Sequence, residues 1–453
     1  MINPYIFREY DIRGIVDKDL NDKSVELLGK GIGTFIKRKG AKSLSVGGDV
    51  RLSTEQLRRA LMKGLRSTGI NVVNIGPVPT PVQYFSMHYL DVDAGVMITG
   101  SHNPPEFNGF KITLNNAPVY GPDIQEIKTL ILEQDFEKGA GAYSEKEVIE
   151  AYKGKIKSDI DFERPLKVVL DSGNGAGALV AHDLIKELGA ETIDLFDWPD
   201  GNFPNHHPDP TVVKNIQKLI ETVKNEKADI GIGYDGDADR IGVVDENGEI
   251  IWGDRLMIIF SRDILQNKPG APIIFEVKCS QALPEMIKRF GGKPIMWRTG
   301  HSNLKEKMKE THAPLAGEMS GHLFFADRYY GYDDAIYASA RLIELLSKTR
   351  KKASELLRDV PKYCATPEIR AEAKSDEEKF KIAEEAKKYF SAHYDVIDVD
   401  GVRIQFGDGW GLVRASNTQP VLVLRFEAKT EERLQEIQNI VVKKLMEFGD
   451  IRI

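Results

Sequence analysis

Cysteine is almost missing from this chain. Cys279 and Cys364 are the two it has, far apart in sequence, which excludes a disulfide framework and suits a reducing compartment. There is no basic excess either: 62 Lys and Arg stand against 69 Asp and Glu, a formal charge of −7. A general attraction to nucleic acid or to an anionic membrane is therefore not expected, although local basic clusters can still hold a small anion. No apolar run reaches the ~20 residues of a membrane span. The opening "MINPYIFREYDIRG" puts charges where a signal peptide needs its apolar stretch, so a cytoplasmic protein is expected. Pro, Gly and Ser are not in excess, which argues against disorder. What is left is a packed, enzyme-sized protein of 453 residues, too long for one core and suited to three or four domains of ~100–150 residues.

Short apolar runs alternate with amphipathic stretches, as in "AKSLSVGGD", "TEQLRRALMKGLRSTG" and "INVVNIG", the pattern of α/β units around parallel or mixed sheets. A second series opens at "LKVVLDSGNGAGA" and reaches "ADIGIGYDGDADR", and a third runs from "GDRLMIIFSRDIL" to "LAGEMSGHLFF". The tail differs, with several consecutive strands between two helices, which predicts a smaller α+β domain with an antiparallel sheet. The expected domains are 1–147, 148–249, 250–361 and 362–453.

In "YDGDADR", Asp235, Asp237 and Asp239 follow the apolar run "DIGIG". Carboxylates at alternate positions on a chain leaving a strand can converge on one hard cation, and oxygen ligands suit Mg²⁺ or Ca²⁺. The strand context and the lack of a glutamate at the twelfth position argue against an EF-hand. Arg240 follows directly and sets a permanent cation beside them. Taken alone, the motif also reads as an acidic turn between strands.

The stretch "GVMITGSHNPPEFNGFKI", residues 95–112, breaks a strand to present Ser101. It reads as a hairpin tip built from common turn residues, or as a nucleophilic or phosphate-carrying serine at a strand end, where α/β folds place their ligands. His102 beside it does not make a triad, because adjacent side chains rarely hydrogen-bond in base geometry and no orienting partner is visible. Lys111 returns on the next predicted strand.

In "RASNTQP", Arg414, Ser416, Asn417 and Thr418 combine a guanidinium fork with hydroxyl and amide groups, which is what a phosphate dianion requires and also what a polar hairpin loop contains. "GEMSGH" offers Glu318, Ser320 and His322, either a strand-edge turn or a carboxylate and hydroxyl for sugar hydroxyls. Near the start, Tyr10 and Arg13 lie in "REYDIRG", the arginine a phosphate-facing cation or a surface ion-pair partner. His301, after Gly300 in "RTGHSN", falls at a predicted helix start, where it caps or contacts an anion. Lys278 ends the strand "IIFEV", pointing into a cleft or simply exposed. "SGNGAG" at 172–177 lacks phosphate-loop spacing and reads as a structural strand-to-helix turn.

Five of these motifs, "YDIRG", "TGSHNPPEFNGFK", "DGDADR", "GEMSGH" and "RASNTQP", stand in one order. Together they resemble the α-D-phosphohexomutase family, most closely its phosphomannomutase/phosphoglucomutase branch. The resemblance covers essentially the whole chain, including "DGNFPNHHPDPT" and "RTGHS". It implies four domains, three similar α/β domains with mixed sheets and a smaller C-terminal α+β domain, around a central active-site cleft to which each contributes a loop. Ser101 would be the phosphoserine, and Asp235, Asp237 and Asp239 would bind Mg²⁺ together with a phosphoserine oxygen. Lys111, Arg13, Arg240 and His301 would complete the catalytic set. Tyr10, Lys278, Gly300 and the "GEMSGH" residues Glu318, Ser320 and His322 would read the sugar. Arg414, Ser416, Asn417 and Thr418 would hold its distal phosphate.

The implied reaction is reversible conversion of hexose 1-phosphate to hexose 6-phosphate through a hexose 1,6-bisphosphate, which also serves as activator. Phosphoryl transfer asks the protein mainly for positioning and charge stabilisation. The hydroxyl proton would pass to Lys111, to His301 or to a group near Arg13; a lysine would need its pKa lowered by its neighbours. The expected partner is a small-molecule sugar phosphate, and the chain a monomer or homodimer. The phosphoglucosamine mutase branch usually has glutamine at the place of Met319 and alanine at that of Gly100, so mannose or glucose phosphates are expected here. Gln419 replaces a more usual glutamate. Two other readings are a sugar phosphatase with an aspartate nucleophile and a non-catalytic sugar-phosphate sensor.

Overall fold

The computed structural model describes residues 2–416 and 421–452. Of the expected phosphate-holding residues, Asn417 and Thr418 lie outside the described residues, as does Gln419. The chain divides into two compact units, one comprising Met1–Leu256 with Ser320–Leu357, the other Met257–Met319 with Arg358–Ile453.

In the first unit, a seven-stranded mixed sheet is centred on Ser43–Gly48 and Ala94–Ile98. These two strands pair in parallel and are buried along almost their whole length, because helices cover both faces; the apolar runs are therefore continuous rather than alternating. The helix Asp22–Arg38 opens with a capping box in which Asn21 and Ser24 satisfy each other's backbone N–H groups. Its apolar face packs Leu28, Ile32 and Phe35 into the core beneath the sheet. The strand Phe107–Leu114 runs antiparallel to Ala94–Ile98 with Met97 opposite Lys111, so the segment 99–106 is the connection of a hairpin.

A second, five-stranded sheet in the same unit has parallel strands Glu191–Leu195, Lys167–Asp171 and Ile230–Tyr234. Ile230–Tyr234 then turns back antiparallel into Ile241–Asp245, with Tyr234 opposite Ile241. The aspartate motif is the turn of that hairpin. "SGNGAG" is the turn the sequence suggests, leading through a short 3₁₀ segment, Ala176–Leu179, into the helix Ala181–Glu187.

In the second unit, Pro272–Glu276 lies in parallel between Lys293–Trp297 and Leu315–Gly317. The tail has the mainly antiparallel sheet expected of it, with Gly409–Ala415 and Val421–Ala428 at its centre. The helices Asp376–His393 and Glu431–Phe448 pack against it, each N-capped by a hydroxyl, Ser375 and Thr430 respectively. Leu422, Leu424 and Phe426 from the sheet meet Ile437, Val441 and Leu445 from the closing helix.

Candidate active site

The first unit brings two hairpin tips together. Ser101 has φ +49°, a left-handed conformation that a serine adopts at a cost and that persists only where its surroundings impose it. Its Oγ donates to Asp235 Oδ2 at 2.9 Å, joining residues 134 positions apart. The loops approach so closely that a Cβ on Gly236 would collide with the Ser101 carbonyl oxygen, so glycine is required there. Ala238, at φ +58°, lets the aspartate hairpin turn within six residues.

Asp235, Asp237 and Asp239 are fully buried, and each offers an oxygen within 4.8 Å of the others. Asp235 Oδ1 accepts from the backbone N–H groups of Asp239 and Arg240, both at 3.1 Å. Lys111 Nζ bridges Asp237 Oδ2 at 2.7 Å and Asp239 Oδ2 at 2.5 Å. Thr80 donates its hydroxyl to Asp237 Oδ2 at 2.5 Å and its amide to the Asp237 carbonyl at 2.9 Å. Thr80 opens the helix Thr80–Tyr89, so Asp237 sits where the helix N-terminus favours negative charge. Among the described residues, Asp237 Oδ1 and Asp239 Oδ1 are buried and accept no hydrogen bond. A hard divalent cation fits such a donor set: three carboxylates from one turn, two of them with an oxygen unspent.

Burial and the two neighbouring aspartates push the Asp235 carboxyl well above its ordinary pKa. Burial would do the same to Asp237, but the Lys111 ammonium and the Thr80 hydroxyl outweigh it and hold that carboxyl low. Lys111 is driven the opposite way from what a proton acceptor needs: burial would lower it, yet Asp237 and Asp239 raise it well above an ordinary lysine. In this setting Lys111 is a neutralising cation.

Arg13 lies on the strand Ile12–Ile15 opposite Gly109, and its Nη1 donates to Asn103 Oδ1 of the serine loop at 3.1 Å. Its Nη2 pairs with Asp11 at 2.5 Å. Tyr10 lies in the bend just before this strand. His102 departs from expectation. Although it is the adjacent residue, its Nδ1 lies 3.1 Å from Ser101 Oγ, because the left-handed serine turns the two side chains onto one side of the loop. Burial, with Arg240 and Arg13 adding to it, holds the imidazole well below its ordinary pKa and therefore neutral.

His322, expected on the sugar, is placed beside the aspartates. Its Nε2 accepts from Arg240 Nε at 2.8 Å, and its Nδ1 lies 3.1 Å from Asp333 and 3.6 Å from Asp239. It thus aims Arg240, with Asp333 behind it. Ser320 belongs to this same unit, in the turn before Gly321, whose carbonyl accepts the Ile241 amide at 3.1 Å.

The remaining expected residues fall in the second unit. Gly300, at φ +119°, donates its amide to Glu318 Oε1 at 2.7 Å, and His301 is the first residue of the helix His301–Thr311. Lys278 is buried against Glu368, 3.0 Å away. Arg414 Nε donates to Asp400 Oδ2 at 2.6 Å, and the Thr299 amide donates to that same oxygen at 3.0 Å. The Ser416 carbonyl accepts from Lys379 at 2.7 Å.

Four family models match in succession: phosphoglucomutase/phosphomannomutase α/β/α domain I over residues 4–138, domain II over 146–248, domain III over 252–363, and the C-terminal domain over 368–444. The chain belongs to the phosphoglucomutase/phosphomannomutase family. Within that family it is 45% identical over 441 residues to a protein of Pseudomonas aeruginosa named phosphomannomutase/phosphoglucomutase, covering 97% of this chain and 95% of that one. It is 44% identical over 438 residues to a Neisseria gonorrhoeae phosphoglucomutase, covering 96% and 95%. A crystal structure of a phosphoglucomutase/phosphomannomutase family protein from Burkholderia thailandensis superposes with TM-score 0.95 at 41% identity, covering all of both chains. The fold is therefore the four-part mixed α/β architecture of this family. Among the described residues, no helix is long and apolar enough to cross a membrane.

Several residues that build the site carry no motif signal in the sequence. Thr80 reaches Asp237 across 157 positions, Asp400 takes the Thr299 amide across 101 positions as well as the nearby Arg414, and Asp333 meets His322 only through the fold of the loop between them. Asp49 and Arg51, in "GGDVRLS", and Glu276, before Lys278, lie at strand ends, the one general cue that could have marked them.

Proposed function

We propose that this chain interconverts hexose 1-phosphates and hexose 6-phosphates, of mannose, glucose or both, through a phosphoserine at Ser101. The observation that carries the reading is the meeting of two hairpin tips, with the Ser101 hydroxyl on Asp235 and Lys111 bridging Asp237 and Asp239. In the first half-reaction the hexose 6-hydroxyl forms a bond to phosphorus while the bond from phosphorus to Ser101 Oγ breaks, and the hydroxyl proton passes to a base. The 1,6-bisphosphate then turns, Ser101 Oγ gives up its proton and bonds to the C1 phosphorus as the bond from that phosphorus to the C1 oxygen breaks, and the C1 oxygen takes up a proton as hexose 6-phosphate leaves.

Asp235, Asp237, Asp239 and a phosphoserine oxygen would hold Mg²⁺, which when bound supplies positive charge against the phosphoryl oxygens. Lys111 and Arg240, the latter aimed by His322, add fixed positive charge around the same oxygens. Arg13 is tied into the serine loop through Asn103. The proton acceptors considered are Lys111, His301 and a group near Arg13; Asp237 and Asp239, which hold the Lys111 ammonium protonated here, are the same carboxylates that would take the cation. Glu318 and Gly300 would read the ring, with Lys278, Ser320 and Tyr10. Arg414 and Ser416, continuing into Asn417 and Thr418, would hold the distal phosphate. The division at 147, 249 and 361 belongs to this reading and is supported by the matched spans. So do a cytoplasmic location, in keeping with two free cysteines, and a monomeric or homodimeric state.

The test is a panel of glucose, mannose and glucosamine 1-phosphates with Mg²⁺ and glucose 1,6-bisphosphate, together with phosphopeptide mapping. Hexose 6-phosphate is expected from the first two, with phosphate on Ser101. Conversion of glucosamine 1-phosphate alone, or release of inorganic phosphate without isomerisation, overturns the reading.

A further inference from the structure

Arg51 belongs to none of the motifs, yet its side chain is 0% exposed and ends in the middle of the serine loop. A guanidinium has five N–H donors in one plane, and here every one has an acceptor. Nη2 donates to the carbonyls of Ser101 at 2.7 Å and Asn103 at 2.6 Å. Nη1 donates to those of Pro104 at 2.7 Å and Phe107 at 3.0 Å. Nε donates to Asp49 Oδ2 at 3.2 Å, and that same oxygen accepts the Gly100 amide at 3.3 Å. One side chain therefore gathers four carbonyl oxygens of a loop 50 to 56 residues away in sequence.

The surroundings are shaped to that guanidinium. A Cβ on Gly100 would lie 2.6 Å from its Cζ and 2.8 Å from the Phe107 carbonyl oxygen, so any side chain at this position would have to displace the guanidinium or the loop. On another side Phe203, from the "DGNFP" segment, places its ring 5.1 Å from Cζ. The "DGNFPNHHPDPT" segment otherwise has no part in the proposed chemistry.

We infer that Arg51, covered by Phe203, is the positioning residue that fixes Ser101 in one place whether or not the serine carries a phosphate. This inference rests on the proposed phosphoserine reading. A serine that alternates between hydroxyl and phosphate ester changes its charge by roughly −2 in each cycle. A loop free to relax would follow that charge, and a misplacement of ~1 Å can cost about 10²-fold in rate. Four carbonyls held from behind oppose such a shift, including the one on Ser101 itself, whose left-handed backbone needs outside support. Arg51 reaches none of the reacting atoms and acts through the loop. Lysine, with three donors on a flexible stem, cannot span the four carbonyls.

The experiment compares Arg51→Lys with the wild type in three measurements: melting, intact mass after incubation with glucose 1,6-bisphosphate, and steady-state kinetics on glucose 1-phosphate. If the wild type takes up no phosphate at Ser101, the phosphoserine reading itself fails. If it does, the expected result for folded Arg51→Lys is a kcat about 100-fold lower with KM changed by less than about threefold. A kcat loss smaller than about tenfold, or a KM that rises as much as kcat falls, overturns the inference. Should Arg51→Lys give no cooperative melting transition, Phe203→Leu decides in its place. A kcat lowered about threefold or more at unchanged KM supports the clamp, and a smaller loss overturns it.

Discussion

The loops that meet at Ser101 are held from behind by a buried cation, whereas those that carry Lys278, Thr299 and Met319 are held by a buried anion. Arg51 gives five N–H groups to oxygens. Glu276, wholly buried, instead accepts from the Lys278 amide at 2.8 Å, the Thr299 hydroxyl at 3.0 Å and the Met319 amide at 3.3 Å. Burial opposes the charge in both cases: it lowers the Arg51 pKa against the pull of Asp49, and it raises Glu276 against the pull of Lys278. The opposite choices follow from what each region displays. The first shows three carboxylates and, in the proposed cycle, a phosphate, so a cation behind the loop lowers the local field. The second shows Lys278 and Arg414, each backed by its own carboxylate, Glu368 and Asp400. In the proposed cycle each region would thus carry, behind the residues it presents, a charge opposite to theirs.

The largest expected effect lies at the display itself. Ser101→Ala, assayed with saturating glucose 1,6-bisphosphate, should lose mutase activity by on the order of 10⁴-fold or more; retained activity would remove the serine from the first region's purpose. Asp237→Asn should follow, and its effect can be read without turnover. Mg²⁺ at about 100 times its dissociation constant is expected to stabilise the wild type by about 2.7 kcal/mol, and most of that rise in melting temperature should vanish in the variant. In the second region the test falls on a backing carboxylate. Asp400→Asn weakens the support of Arg414 and of the Thr299 amide together, so KM for hexose 1-phosphate should rise about tenfold, near 1.4 kcal/mol, with kcat little changed. An unchanged KM would mean that Arg414 needs no aiming and that the two regions are not built alike.

Display residues were legible in the sequence and backing residues were not, for a physical reason. Ser101, Asp235, Asp237 and Asp239 occupy turns whose local spacing already limits what they can do, and the family resemblance fixed their order. Arg51 acts only once a loop 50 to 56 residues away has folded over it. On the chain it is one more arginine after a strand. His322 shows the same limit: its motif says nothing of Arg240 and Asp333, between which the folded chain sets it. The hydrogen bond between His102 and Ser101 is not foreseeable from the chain because it depends on a left-handed serine, a conformation expected mainly of glycine and asparagine. The sheet order was likewise recoverable only as a class, since alternation of strands and helices predicts a mixed sheet without saying which strands become neighbours.

The smallest effect expected is a difference in acid. Arginine does not titrate there, so the clamp behind Ser101 keeps its charge, whereas the carboxylates of the second region do not all keep theirs. Burial would raise Glu368, but attraction and a hydrogen bond from Lys278 outweigh it and hold the carboxyl down to about 2, against an ordinary value of 4.5. A carboxyl held low in the folded state contributes stability that is complete above 4.5 and drains away as pH falls toward about 2. Glu276 runs the other way. Its raised pKa means that the folded state takes up a proton above 4.5, so mild acid relieves its burial and adds nothing to the loss. The full displacement of Glu368 would correspond to ~3 kcal/mol, but its side chain is 23% exposed, and solvent screening reduces the expected contribution to ~1 kcal/mol. Hydrogen exchange in the strand Ile369–Ala373, next to Glu368, should therefore quicken in the wild type between about pH 5 and pH 3, beyond the ordinary pH dependence of exchange. In Glu368→Gln, which lacks the titrating group, that extra quickening should be absent; parallel curves would show that Glu368 gives Lys278 no pH-dependent hold.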